Sequence, residues 1–229
     1  MSDIVEATKG FVKQKLLGEG SGHDWWHIER VYVNSLKIMV GTTEVVQKEV
    51  VELAALLHDI ADWKFHNGDE TIGPRTAREW LESQQVDEKL IGHVCQIIKD
   101  VSFKGAGVQT VMKSLEGQIV QDADRLDAIG AIGIARTFAY GGYKKRELFN
   151  PDIEPSMHRT AEEYKSQQST TINHFFEKLL LLKERMNTPA AKALASERHQ
   201  YMVKFLEKFL LESHQEKSVH FEMIAQFKD

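Results

Sequence analysis

The segment Val50-Val51-Glu52-Leu53-Ala54-Ala55-Leu56-Leu57 is apolar almost all the way round a helix, and it ends on two ionisable residues, His58 and Asp59. A helix with no polar face has to be buried on every side, so the rest of the chain must wrap it. The chain has 229 residues, 42% of them hydrophobic. That is enough for one substantial core and short for two, so a single domain over residues 1–229 is expected. With only 4 prolines, and with strict apolar–polar alternation hard to find anywhere, the wrapping elements should be helices. The expected fold class is all-α, a helical bundle with additional C-terminal helices.

Apolar residues at 3,4 spacing predict helices over Ile4 to Leu17 and from Trp26 to Met39, stopping at Gly41. Thr42 or Thr43 should cap the buried helix, which runs toward Trp63. A short helix through Arg78, Trp80 and Leu81 follows, then one opened by Asp87 and continuing through Ile98. Asp122 is expected to cap a helix reaching Phe138, with glycines that let another helix approach closely. Two amphipathic helices, about Thr170 to Met186 and Pro189 to Leu211, come after a polar excursion over residues 143 to 168 that contains Pro151 and Pro155.

Several function classes are excluded or disfavoured. The longest apolar stretch, Ala128 to Ala135, has two glycines in eight residues, far from the roughly 18 needed to span a bilayer. Twenty-nine basic against 34 acidic residues leave a net charge of −5, and no basic run marks a surface for polymeric nucleic acid or membrane. No basic segment precedes an apolar one at the start, and Cys95 is the single cysteine. A cytoplasmic location is therefore the expectation.

The chemistry starts from His58 and Asp59. Burying unpaired charge costs several kcal/mol, roughly, so something must compensate. One possibility is structural: His58 hydrogen-bonded and Asp59 paired with an arginine. The other is a bound cation, and two further segments supply matching ligand types: Asp24-Trp-Trp-His27-Ile-Glu-Arg30-Val31 upstream and Asp122-Ala-Asp124-Arg125-Leu-Asp127 downstream.

The pattern His27-x-x-Arg30-Val31, then His58-Asp59, then Asp124 in Ala-Asp-Arg-Leu resembles the H…HD…D signature of the HD-domain metal-dependent phosphohydrolases. The resemblance covers roughly residues 20 to 140. The wording around His27 and His58 is similar in particular to small single-domain bacterial HD proteins, a group that includes nucleoside triphosphate pyrophosphohydrolases. It implies an all-α core of about five helices with the metal between them, and it makes His27, His58, Asp59 and Asp124 the ligands. Two imidazoles and two carboxylates suit a borderline divalent ion, with Mn²⁺ favoured over Mg²⁺, Co²⁺, Ni²⁺, Fe²⁺ and Zn²⁺. His23 is the rival to His27, and either Asp122 or Asp127 could assist Asp124.

Further roles follow the same resemblance. Asp62, three residues beyond Asp59, is expected to orient the attacking water; His23, lining the pocket or hydrogen-bonding the phosphates, and Lys64, a phosphate contact, are the other catalytic candidates. Arg125, Lys104, His66 and Lys144 are the candidate phosphate contacts. His93 is more simply read as a packed histidine than as a ligand. The implied activity is hydrolysis of a phosphorylated small molecule, a nucleotide, with (deoxy)nucleoside triphosphates cleaved to monophosphate and pyrophosphate. The alternatives are a nucleotidase or phosphodiesterase acting on monophosphates or signalling nucleotides, and a non-catalytic metal-stabilised regulatory module. A homo-dimer is a further expectation, with Phe175, Phe176, Leu179 to Leu182, Phe205 and Phe209 either covering the core or pairing two subunits.

Overall fold

The structure, a computed structural model, describes residues 3–18, 24–61, 69, 71–101, 111–156 and 169–228. Among them there are α-helices and short 3₁₀ turns but no strand, so the chain is all-α. The helices are α1 (Asp3–Leu16), α2 (Trp25–Val40), α3 (Lys48–Leu57), α4 (Ile72–Ser83), α5 (Glu88–Asp100), α6 (Leu115–Asp127) and α7 (Gly130–Tyr143). After these come α8 (Asn173–Glu177), a 3₁₀ segment Leu179–Arg185, α9 (Pro189–Glu212), α10 (Val219–Ile224) and a final 3₁₀ turn. None is long and apolar enough to cross a membrane. His23, Asp62, Lys64, His66 and Lys104 lie outside the described residues, as does most of the excursion, 157–168.

The residues fall into two compact units, one made of Met1–Phe103 with Thr110–Asp124 and the other running from Arg125 to Asp229. In the first, α3 packs against α1, α2 and α5. Every residue from Val50 to Leu57 is buried, as a helix without a polar face requires. Its one acid, Glu52, is satisfied by the Tyr32 hydroxyl, which donates to Oε1 at 2.9 Å, and by Lys48 at 3.8 Å. Burial, and then the bond to Glu52, push the Tyr32 phenol well above its ordinary pKa. Outside this core, Trp80 stacks on Phe11 with centroids 4.0 Å apart while its indole N–H donates to Thr8 Oγ1 at 2.9 Å, fixing α4 against α1.

Caps explain where the helices begin. Asp24 Oδ1 accepts from the His27 N–H at 2.9 Å and Asp87 Oδ1 from the Lys89 N–H at 2.9 Å, opening α2 and α5. Two expected caps are corrected. The residue before α3 is Gln47, not Thr42 or Thr43, and its N–H donates to the buried Glu116 Oε1 at 2.9 Å. Helix α6 begins seven residues before Asp122, behind Ser114, whose Oγ accepts from the Gly117 N–H at 3.1 Å. Asp122 is therefore a buried mid-helix residue rather than a cap.

The second unit corrects two more boundaries. The predicted helix to Phe138 is broken after Asp127: Gly130 takes φ +75° and a separate helix, α7, starts there. The expected close approach of another helix is found at Gly130, where a Cβ would meet the Arg198 side chain of α9, whereas at Gly133 it would meet the Ala128 carbonyl just before α7 and at Gly141 the Thr171 side chain. Thr170 to Met186 is not one helix: Lys178 (φ −142°, ψ −60°) interrupts it and the remainder winds as 3₁₀. Thr188 caps α9, with Pro189 at its first turn. Phe175 and Phe176 are fully buried, and Phe175 clusters with Phe138 and Phe205, which in turn meets Phe209. Of the two roles considered for these aromatics, they take that of core.

Candidate metal centre

Three elements of the first unit bring four side chains to one point. His27 lies in the first turn of α2, just behind its Asp24 cap. His58 and Asp59 occupy the turn in which α3 ends, closed by the Ile60 N–H donating to Leu57 O at 3.1 Å. Asp124 projects from α6. A helix C-terminus carries partial negative charge on its unpaired carbonyls, so the end of α3 is a favourable place for a cation.

The donor atoms converge closely. His27 Nε2 lies 3.2 Å from His58 Nε2, 3.4 Å from Asp59 Oδ2 and 3.6 Å from Asp124 Oδ1, and His58 Nε2 is 3.8 Å from each of the two carboxylate oxygens. The imidazoles meet edge to face, at 68°. Metal–ligand bonds of ~2.1 Å put neighbouring donors about 3.0 Å apart in an octahedron and about 3.4 Å apart in a tetrahedron, so the separations are those of one coordination shell.

The proton arrangement also fits a cation. His58 Nδ1 is 2.9 Å from the Ala55 carbonyl. A carbonyl only accepts, so Nδ1 carries the hydrogen and Nε2 of the neutral ring presents a lone pair to the centre. One divalent ion at the point where the four donors converge would satisfy all of them at once. Both imidazoles are buried, whereas Asp59 and Asp124 keep 19% and 33% of their side chains exposed. The carboxylate edge is thus the side open to water and to a substrate.

Other sequence candidates are placed elsewhere or engaged. Asp127, one turn beyond Asp124, receives Arg136 NH1 at 2.8 Å, a bond that occupies its carboxylate. Arg125 is buried and donates to the Arg185 carbonyl. Lys144 follows the end of α7 with its ammonium over the rings of Tyr140 and Tyr143. His93 Nε2 is 2.9 Å from Ser114 Oγ, as befits a packed histidine. The Ala55 carbonyl was not foreseen: any residue supplies a backbone oxygen, so the sequence carries no signal for it.

The chain matches the HD-domain family model over residues 25–129, a span that contains all four converging side chains. It is also 37% identical to the Bacillus subtilis protein YpgQ over 212 residues, 88% of this chain and 90% of that one. The chain belongs to the HD-domain family. Solved structures of HD relatives agree along nearly the whole length. A crystal structure from Lactobacillus plantarum shares 35% identity with a TM-score of 0.80, covering 93% of this chain and 99% of that one. An HD-superfamily hydrolase from Bacillus thuringiensis shares 43% identity with a TM-score of 0.70, covering 92% and 96%. YpgQ in complex with ADP superposes with a TM-score of 0.68 at 31% identity, covering 91% and 97%. Like the Bacillus thuringiensis protein, the chain is an HD-superfamily hydrolase.

Proposed function

We propose that His27, His58, Asp59 and Asp124 hold a divalent metal, Mn²⁺ by preference, and that the chain uses it to hydrolyse (deoxy)nucleoside triphosphates to the monophosphate and pyrophosphate. The observation that carries this reading is the convergence of two imidazole lone pairs with two carboxylates whose edge opens to solvent. The ADP bound by YpgQ supports a nucleotide as the ligand class. When bound, the ion supplies Lewis acidity toward a phosphoryl oxygen and a water of lowered pKa.

The chain's own residues prepare that chemistry. The Ala55 carbonyl holds His58 in one tautomer, and the Asp24 cap holds the turn that carries His27, so the donors are oriented before anything binds. Asp59 and Asp124 balance the ion's charge. Asp62 orients the water, His23 and Lys64 are the other catalytic candidates, and Lys104, His66 and Lys144 take up charge on the phosphates. Arg125, tied to the Arg185 carbonyl, is the weakest of these contacts. Residues 1–229 work as one domain in this reading, which the match to YpgQ over 88% of the chain supports. The site of action is the cytosol.

ADP is a diphosphate, so the relative's ligand also suits a rival in which a terminal phosphate is released from a nucleotide or a signalling nucleotide is opened. Bond position separates the two. In ¹⁸O-labelled water with Mn²⁺, attack at the α-phosphorus puts the label on the monophosphate and releases pyrophosphate. Label in orthophosphate, or turnover of monophosphates alone, would favour the rival. A full complement of metal with no turnover of any nucleotide would indicate a metal-stabilised regulatory module.

A further inference from the structure

Helix α2 turns one face to the metal centre and leaves another uncovered. His27, Ile28, Val31, Asn34, Ser35 and Ile38 are buried. On the outer side, Trp26, Val33 and Val40 are 52%, 41% and 84% exposed. They fall seven residues apart, so they form a single apolar stripe about 21 Å long on a helix rising ~1.5 Å per residue. Scattered exposed apolar residues need no explanation, but a tryptophan and two valines in heptad register on an otherwise amphipathic helix are not scattered.

The charges beside the stripe indicate what covers it. Glu29 and Lys37 are both exposed and lie four residues before and four residues after Val33. Neither makes an ion pair among the described residues. If two α2 helices meet antiparallel about a two-fold axis at Val33, Val33 faces its own copy and Trp26 comes level with Val40 of the other helix. Glu29 then comes level with Lys37, twice. In a parallel pair Glu29 would face Glu29 and Lys37 would face Lys37. The pattern is self-complementary in one orientation and self-repelling in the other.

We infer that two copies of this chain associate through antiparallel contact of their α2 helices, centred on Val33. The contact is one helix pair, smaller than the interfaces of permanent dimers, so association is reversible and concentration-dependent. Each metal centre sits behind the contact, with His27 directly after the Trp26 that anchors it. The proposal does not depend on what the centre hydrolyses.

Sedimentation of the full-length chain across a wide concentration range tests it. The wild type should pass from monomer to dimer, and Val33→Glu should raise the dissociation constant by roughly tenfold or more with an unchanged helical circular dichroism spectrum. Glu29→Lys places lysine level with lysine, and Lys37→Glu places glutamate level with glutamate, so each variant alone should dimerise less. An equimolar mixture of the two should recover the dimer, because every level then carries opposite charges. A monomer at all concentrations, a dimer indifferent to Val33→Glu, or a mixture no stronger than its components would each overturn the inference. Those outcomes would point respectively to no self-association, to an interface elsewhere, and to contact in another register.

Discussion

Each unit of the chain buries a pair of histidines, and the two pairs are made for different ends. In the second unit, His220 Nε2 lies 2.8 Å from Asn173 Oδ1 and His199 Nε2 lies 2.9 Å from the Phe227 carbonyl. The Asn173 amide nitrogen donates to the Ile153 carbonyl, so its oxygen accepts and His220 is the donor. Each ring therefore gives one hydrogen to a neutral oxygen, with Nδ1 buried and without a hydrogen-bond partner among the described residues, and burial disfavours its charged form. In the first unit, the second nitrogen of each ring points at its fellow and at two carboxylates. Burial does not distinguish a ligand from a core histidine; what its second nitrogen faces does.

The largest effect should come from breaking the first pair. His58→Ala or Asp59→Ala removes a donor and leaves the remaining buried charges uncompensated. Bound metal should be lost and phosphohydrolysis should fall more than roughly 100-fold, as bigger than the losses typical of supporting residues around a metal. His199→Ala and His220→Ala should retain stoichiometric metal. Elemental analysis after remetallation of metal-free protein measures both, and full occupancy in His58→Ala would sink the ligand assignment.

Metal removal should follow the same division. A ligand that binds only the folded chain stabilises it by about 2.7 kcal/mol at 100 times its dissociation constant. Added Mn²⁺ should therefore raise the melting temperature of the wild type and of His220→Gln by similar amounts, and leave His58→Ala unmoved. Equal shifts in all three would place the metal elsewhere.

The two neighbouring acids of α6 sharpen the contrast. Asp124→Asn should lose metal and keep its fold. Asp127→Asn should keep metal and lose about 1.5–3 kcal/mol of stability, the worth of a hydrogen bond to a charged group, because Asp127 serves Arg136. Denaturant melts beside metal titrations read both, and the reverse assignment would move the ligand by one helical turn.

What the sequence disclosed and what it hid follow from the range of each signal. His58-Asp59 closing an eight-residue apolar run was conspicuous because charge at the end of a buried helix has to be compensated. Asp87 was legible as a cap because capping is a contact between residues two or three apart; Asp24, which caps α2 in the same way, was passed over because the helix was read as starting at Trp26. Gln47 was not legible, since the group that accepts its N–H is Glu116, 69 residues away. The start of α6 was hidden by Gly117, which lowers helix propensity locally and is tolerated where it packs against Met112. Asp122 looked like a cap only because the turns of its own helix that precede it went undetected. Lys178 has no local breaker beside it, so the change from α to 3₁₀ could not be anticipated.

The smallest effect belongs to the second pair and appears only as a slope against pH. Burial holds both His220 and His199 below the ordinary histidine pKa. The bond of His199 to Phe227 and the field of Glu184 act the other way more weakly, as do the Ile153 backbone and then the field of Glu154 at His220. The unfolded chain therefore takes up protons at these positions below about pH 6.5 while the folded chain resists them. With more protons bound in the unfolded state, stability must fall as pH drops from about 6.5 toward the lowered folded values, and the pair contributes no slope above that window. His220→Gln preserves a side-chain N–H for Asn173 but cannot titrate, so it should flatten the curve on the acid side and leave the neutral side parallel to the wild type. Melting temperatures measured between pH 7 and pH 5 on chelator-treated protein provide the check, because metal binding would otherwise add its own pH dependence to both curves alike. An acid slope unchanged in the His220→Gln and His199→Gln double variant would show that these rings are already charged in the folded chain, and the contrast between the two pairs would then rest on the carboxylates alone.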